Sequence, residues 1–148
     1  MHSENELGYQ TRSDGFGILY GEIAGALIER CGRNGMGIVR KAVAAYGKKK
    51  GKRLREQYMG SGVRTDLHNL MAAEDGCWKD PRTLKTTVRD TPEAQLWEIY
   101  SCPLEKNWRD RGREEAGRLY CEEYLHALMD GYGEGAGQAN VSNSKTCK

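Results

Sequence analysis

The sequence predicts an α+β fold in a single domain: a helical N-terminal half, then a small antiparallel sheet, then a long C-terminal helix. Three observations predict it. Apolar residues recur at three-to-four spacing as far as Leu54, the signature of amphipathic helices. The pattern then switches to alternation in TLKTTVRD (83–90) and to aromatic and branched residues in AQLWEIYS (94–101), which reads as paired strands. Helix-forming composition returns after Pro103 and runs to Gly131 or Gly133.

Taken in order, residues 1–15 are polar and mixed in charge, so they read as a tail before a domain spanning 16–148. Phe16 to Arg30 reads as the first helix, with Leu19, Ile23, Leu27 and Ile28 in phase and Gly32 as its stop. The following GRNGMG lacks the lysine-serine ending and the preceding strand of a phosphate loop, so it reads as a helix–helix turn. Asn34 can cap a second helix whose apolar stripe is Val39, Ala42, Val43 and Tyr46. Between Lys48 and Arg55, six of eight residues are basic. Leu54 keeps the apolar phase there, so most of these charges form a solvated face. TDLHNLM (65–71) reads as a short capped helix, broken by EDGCWKDP. DTPEA (90–94) supplies turn chemistry for a hairpin. The final GQANVSNSKTCK is either a third strand or a tail.

At 148 residues the chain can bury a core of its own. With 23 basic against 21 acidic residues the net charge is +2, less than a dedicated nucleic-acid module carries. The basic run also lacks interleaved aromatic residues for stacking bases, so no specific nucleic-acid partner is expected. No apolar stretch approaches the ~20 residues needed to span a bilayer. No apolar segment marks a secretory signal, which predicts a cytoplasmic protein with reduced thiols. Cys31, Cys77, Cys102, Cys121 and Cys147 form no C-x-x-C pair, so no metal is expected and no motif requires a cofactor. Homo-oligomerisation is left open.

The segment YSCPLEKNW carries the most chemistry. A residue before proline is pushed to extended backbone, and proline suits the first position of a helix. Cys102 therefore falls at a helix N-cap, where unpaired amides and the helix dipole favour a thiolate. Its blander role is a small buried apolar group beneath the hairpin. On the long helix, Ala116, Tyr120, Tyr124 and Ala127 share the inward face, with Cys121 at one margin and Glu123 near the other. Cys121 and His126 lie about 140° apart on the helical wheel and make poor joint ligands. Glu123 and His126, three residues apart, can form an acid/base pair. A satisfied surface histidine is the alternative for His126. His68, Cys77 and Cys147 support no particular role.

The stretches ALIERCGRNGMGIVRKAVAAYGKKKGKR and CPLEKNWRDRGREEAGRLYCEEYLHALMDGY, in this order and spacing, resemble the L-2-amino-thiazoline-4-carboxylic acid hydrolase family. The likeness covers most of Leu19 to Tyr132. It implies hydrolytic opening of a 2-aminothiazoline carboxylate to an N-carbamoyl-cysteine. That chemistry needs a nucleophile at the amidine carbon, a proton for the departing atom and a cation for the carboxylate. The corresponding candidates are Cys102 first, then Cys121, Glu123 and His126 as catalytic groups. Arg53 of the basic run, with Tyr120 and Tyr124, are candidates for substrate binding. The expectation is a hydrolase acting on a carbon–nitrogen or carbon–sulfur bond of a small cyclic amidine. Its rival is a non-enzymatic small-molecule-binding or sensor domain of the same fold, and a nucleic-acid accessory protein is a third class.

Overall fold

A computed structural model describes residues 4–62, 66–74 and 76–133. Helix α1 (Glu4–Ser61) is kinked at Gly32, whose φ of 52° and ψ of −128° lie outside helical space. Glycine adopts that conformation without a Cβ clash. The two parts of α1 then meet so closely that a Cβ on Gly35 would stand 2.3 Å from the Leu27 carbonyl oxygen. The expected junction is therefore present. The expected polar tail, however, is helical from Glu4 onward. Glu4 and Glu6 in the first turn suit the helix dipole, and Asp14 is held by Arg82 at 3.0 Å.

The buried face of the first part of α1 also differs from the apolar stripe expected there. Leu19 and Ile23 are exposed, and Gly17, Gly21, Ala24 and Gly25 face inward. The small residues admit bulky groups from the second half of the chain. A Cβ on Gly21 would fall 2.9 Å from the Trp108 ring, and one on Gly25 2.5 Å from the Arg113 side chain. Trp108 is 1% exposed and donates its indole N–H to the Gly17 carbonyl at 2.9 Å.

Helix α2 (Leu67–Ala73) begins at Asp66, whose carboxylate accepts from the Asn69 amide at 2.9 Å. A short 3-10 turn (Cys77–Lys79) leads to strands β1 (Leu84–Thr91) and β2 (Ala94–Ser101), which pair antiparallel with Thr87 opposite Trp97 and Thr91 opposite Ala94. An irregularity between Thr87 and Arg89 leaves Val88 out of the pairing. One face of the hairpin packs: Trp97 meets Trp78 with ring centroids 6.0 Å apart. The single long helix expected after Pro103 is two helices, α3 (Pro103–Asp110) and α4 (Glu114–Tyr132). Gly112, with φ of 66°, turns the chain between them. Residues 137–148, where a third strand was an option, and Cys147 lie outside the described residues.

Helix α4 is the spine of the core. Leu119 and Leu128 have no exposed surface and pack in one cluster with Val39, Val43, Leu70 and Met71. Along α1, Arg40 pairs with Glu122 and Glu123, Lys48 with Asp130, and Arg55 donates to the Tyr132 carbonyl. The second part of α1 thus runs in the same direction as α4. Lys49, Lys52 and Arg53 of the basic run are exposed, as a solvated face requires, but Lys50 turns inward. Because α2 is short, its cap matters to it. Asp66→Ala is expected to cost about 1 kcal/mol, read as a fall of about 3 °C in thermal midpoint. An unchanged midpoint would show that the cap adds nothing.

Candidate functional site

A cavity of about 110 Å³ opens where the elements converge. The first part of α1 contributes Arg12, Ser13 and Phe16, and the second part contributes Tyr46 and Lys50. The segment after α2 contributes Glu74, Gly76 and Cys77, α3 contributes Leu104, and α4 contributes Tyr120 and Tyr124. The size suits a single-ring molecule, since drug-sized ligands occupy roughly 300–1,000 Å³. Four of its eleven lining residues are aromatic. Tyr120 stacks on Tyr124 at 4.9 Å between ring centroids, Phe16 tilts against Tyr120 at 5.1 Å, and Tyr46 stacks on Tyr124 at 5.7 Å.

Glu74 is the charged centre of this site and is fully buried. Burying a carboxylate is costly unless it is paired and hydrogen-bonded. Its Oε1 accepts from Lys50 Nζ at 2.6 Å and from the Tyr124 hydroxyl at 2.6 Å. Burial, then the Glu74 charge, pushes the Tyr124 hydroxyl far above its ordinary value, so it stays a donor. Glu74 Oε2 is also buried and has no hydrogen-bond partner among the described residues.

Cys102 occupies the N-cap of α3 with extended backbone and Pro103 after it, as the sequence predicts. Its thiol is lowered to about 7. The first cause is a hydrogen bond from the Cys77 thiol. Burial works against the shift, and the amides of Glu105 and Leu104 work for it. Neither amide closes a full capping hydrogen bond. The same contact, with burial, pushes the Cys77 thiol well up, so Cys77 keeps its proton while Cys102 loses it. Cys77 and Leu104 both line the cavity, which puts Cys102 beside it.

The other sequence candidates are placed as follows. Tyr120 and Tyr124 line the cavity. Cys121 lies near enough for its charge to act on Cys77 and Tyr120. Glu123 is held by Arg40 at 2.6 Å and His126 is exposed; neither lines the cavity. Arg53 is exposed and does not line it either, and the cations that do are Arg12 and Lys50. Sequence reasoning missed Glu74, Lys50 and Cys77. The available signal for Lys50 was its position four residues after Tyr46 on the apolar stripe. Glu74 and Cys77 sit in an aperiodic connector and gave none.

Among the described residues, no group of three or more His, Cys, Asp or Glu side chains is arranged to hold a metal ion, and no helix is long and apolar enough to cross a membrane. No curated protein and no solved structure matches the chain. A family model does: the one described as L-2-amino-thiazoline-4-carboxylic acid hydrolase matches residues 16–146.

Proposed function

The chain belongs to the L-2-amino-thiazoline-4-carboxylic acid hydrolase family, and on that premise we propose that it opens a small cyclic amidine of the 2-aminothiazoline carboxylate type with Cys102 as nucleophile. The observation that carries the reading is the thiol pair beside the cavity, with Cys102 lowered to about 7 and Cys77 held protonated against it. A thiolate available at neutral pH is the nucleophile this chemistry needs. The aromatic walls suit a flat ring, and Arg12 and Lys50 supply positive charge for its carboxylate.

In the proposed sequence the Cys102 thiolate adds to C2 of the ring. The C2–S bond breaks, and the departing sulfur takes the proton of Cys77. This leaves an isothiouronium on Cys102. Water then adds to the same carbon and returns a proton to Cys77. The bond to Cys102 breaks, releasing its thiolate and a urea, the N-carbamoyl-cysteine; the amidinium proton goes to solvent. One water is consumed and nothing is oxidised. Cys77 is assigned the proton because it is on the cavity wall, whereas Glu123 is tied to Arg40 and His126 faces solvent.

The test is to incubate the protein with 2-aminothiazoline-4-carboxylate and follow ring opening by mass spectrometry as a gain of one water. The rate at low substrate should rise with pH through about 7, because the depressed thiol is unreactive below that value and ionised above it. This midpoint belongs to the Cys77–Cys102 pair and not to one sulfur alone. Saturable binding without product would overturn the hydrolase reading in favour of a binding domain.

A further inference from the structure

From the orphaned oxygen of Glu74 we infer that this residue is the receptor for the amidinium group of the ligand, an assignment that rests on reading the cavity as a cyclic-amidine site. Three observations support it. Glu74 is fully buried, and its two oxygens are used unequally: Oε1 takes both Lys50 and Tyr124, while Oε2 takes no donor among the described residues. A buried anionic acceptor left unpaired is unfavourable, so Oε2 calls for a donor that arrives with the ligand. Gly76 lies against the same oxygen: a Cβ there would stand 2.4 Å from Oε2 and 2.6 Å from the Trp78 ring. Any larger residue there would crowd that oxygen.

The chemistry of the missing donor follows from the lining. Carboxylates prefer planar cations that present parallel N–H groups, as a guanidinium or amidinium does. A protonated 2-amino-azoline ring has two such N–H groups on one edge and a flat apolar body for Tyr120 and Tyr124. Among the described lining residues, the charged groups are Arg12, Lys50 and Glu74, two cations against one carboxylate. Charge alone would therefore repel a cationic ligand. A preference for the cation needs a local partner, and its loss in Glu74→Gln separates Glu74 from the aromatic faces and the Cys102 thiolate as that partner.

Two probes of nearly the same outline separate the possibilities without turnover. 2-Aminoimidazoline is a cyclic guanidinium without the C–S bond that the proposed reaction breaks, and 2-imidazolidinone is its neutral urea counterpart. Binding to the wild-type protein is measured first, by calorimetry or ligand-observed NMR. The guanidinium should bind at least about 10-fold more tightly, the scale of one charge-assisted pair; equal affinities would overturn the assignment with no variant needed. In Glu74→Gln the two affinities should converge to within about 2-fold, and in Glu74→Asp, which keeps the charge, a preference should persist. Equal losses for both probes in Glu74→Gln would instead make Glu74 only an anchor for Lys50 and Tyr124. Because neither probe carries the C–S bond of the proposed reaction, failure to open 2-aminothiazoline-4-carboxylate would sink the hydrolase reading and leave this result standing, and the converse also holds.

Discussion

Cys102→Ser is expected to keep the fold and the binding of ligand while losing turnover by on the order of 10³-fold or more. The size follows from ionisation. A thiol lowered to about 7 is about half thiolate at neutral pH, whereas a serine hydroxyl there is essentially all neutral and has no positioned base. The fold should be indifferent, because the α3 N-cap position accepts serine readily. Cys77→Ser is the informative companion. It keeps a hydroxyl that can still donate to Cys102 but removes the acidic thiol proton. It should therefore cost about 100-fold near neutrality, the low end of what one general acid contributes, and leave the rise of the pH profile near its place. Alkylation gives an independent readout: Cys102 should react with iodoacetamide faster than Cys31, Cys77, Cys121 and Cys147 at pH 7. If Cys102→Ser kept full activity while Cys77→Ser was dead, the nucleophile would be Cys77 and the roles of the two sulfurs would reverse.

What could be read in the sequence was local chemistry with a fixed spacing. The dipeptide Cys102–Pro103 dictates an extended residue followed by a helix start, and the α3 cap forms as expected. The alternation across residues 84–101 and the turn at Pro92 gave the hairpin. What could not be read was which face of a helix is buried when the buried face is small. Gly17, Gly21 and Gly25 repeat at four residues, and so do Leu19 and Ile23. Periodicity is equally strong for both stripes, and only the arrival of Trp108 and Arg113 over the glycines decides between them. Gly112 was hidden in the same way: its neighbours favour helix, and the break depends on a φ of 66°. Half of the candidate site follows this pattern. Tyr120 and Tyr124 were legible as an inward face, but Glu74 and Cys77 are brought to them by a connector without period.

The glycines also set the stability of the α1–α4 contact, on which the cavity depends. At Gly51 a Cβ would stand 2.0 Å from the Leu128 carbonyl oxygen and 2.8 Å from the Tyr132 amide nitrogen. At Gly131 it would stand 2.0 Å from the Lys48 carbonyl oxygen. These neighbours are backbone atoms of the facing helix, so no rotamer change relieves the clash; the helices themselves must separate. Two effects then oppose each other in Gly51→Ala. Helix propensity favours alanine by about 1 kcal/mol, while forcing a methyl group into a closed contact typically costs about 1–3 kcal/mol and more where backbone must move. The clash at 2.0 Å places this site at the upper end, so a net loss of about 2–3 kcal/mol is expected, or about 5–10 °C in thermal midpoint. Gly37 is the matched control: it lies in the same helix with nothing within 4 Å of an added Cβ. There only propensity acts, and Gly37→Ala should raise stability by about 0.5–1 kcal/mol. Activity should follow the same division, since separating α1 from α4 moves Lys50 away from Tyr124 and opens the buried carboxylate between them. Thermal and urea denaturation of the two variants would decide it. A Gly51→Ala protein as stable as Gly37→Ala would mean that the two helices do not approach at backbone distance.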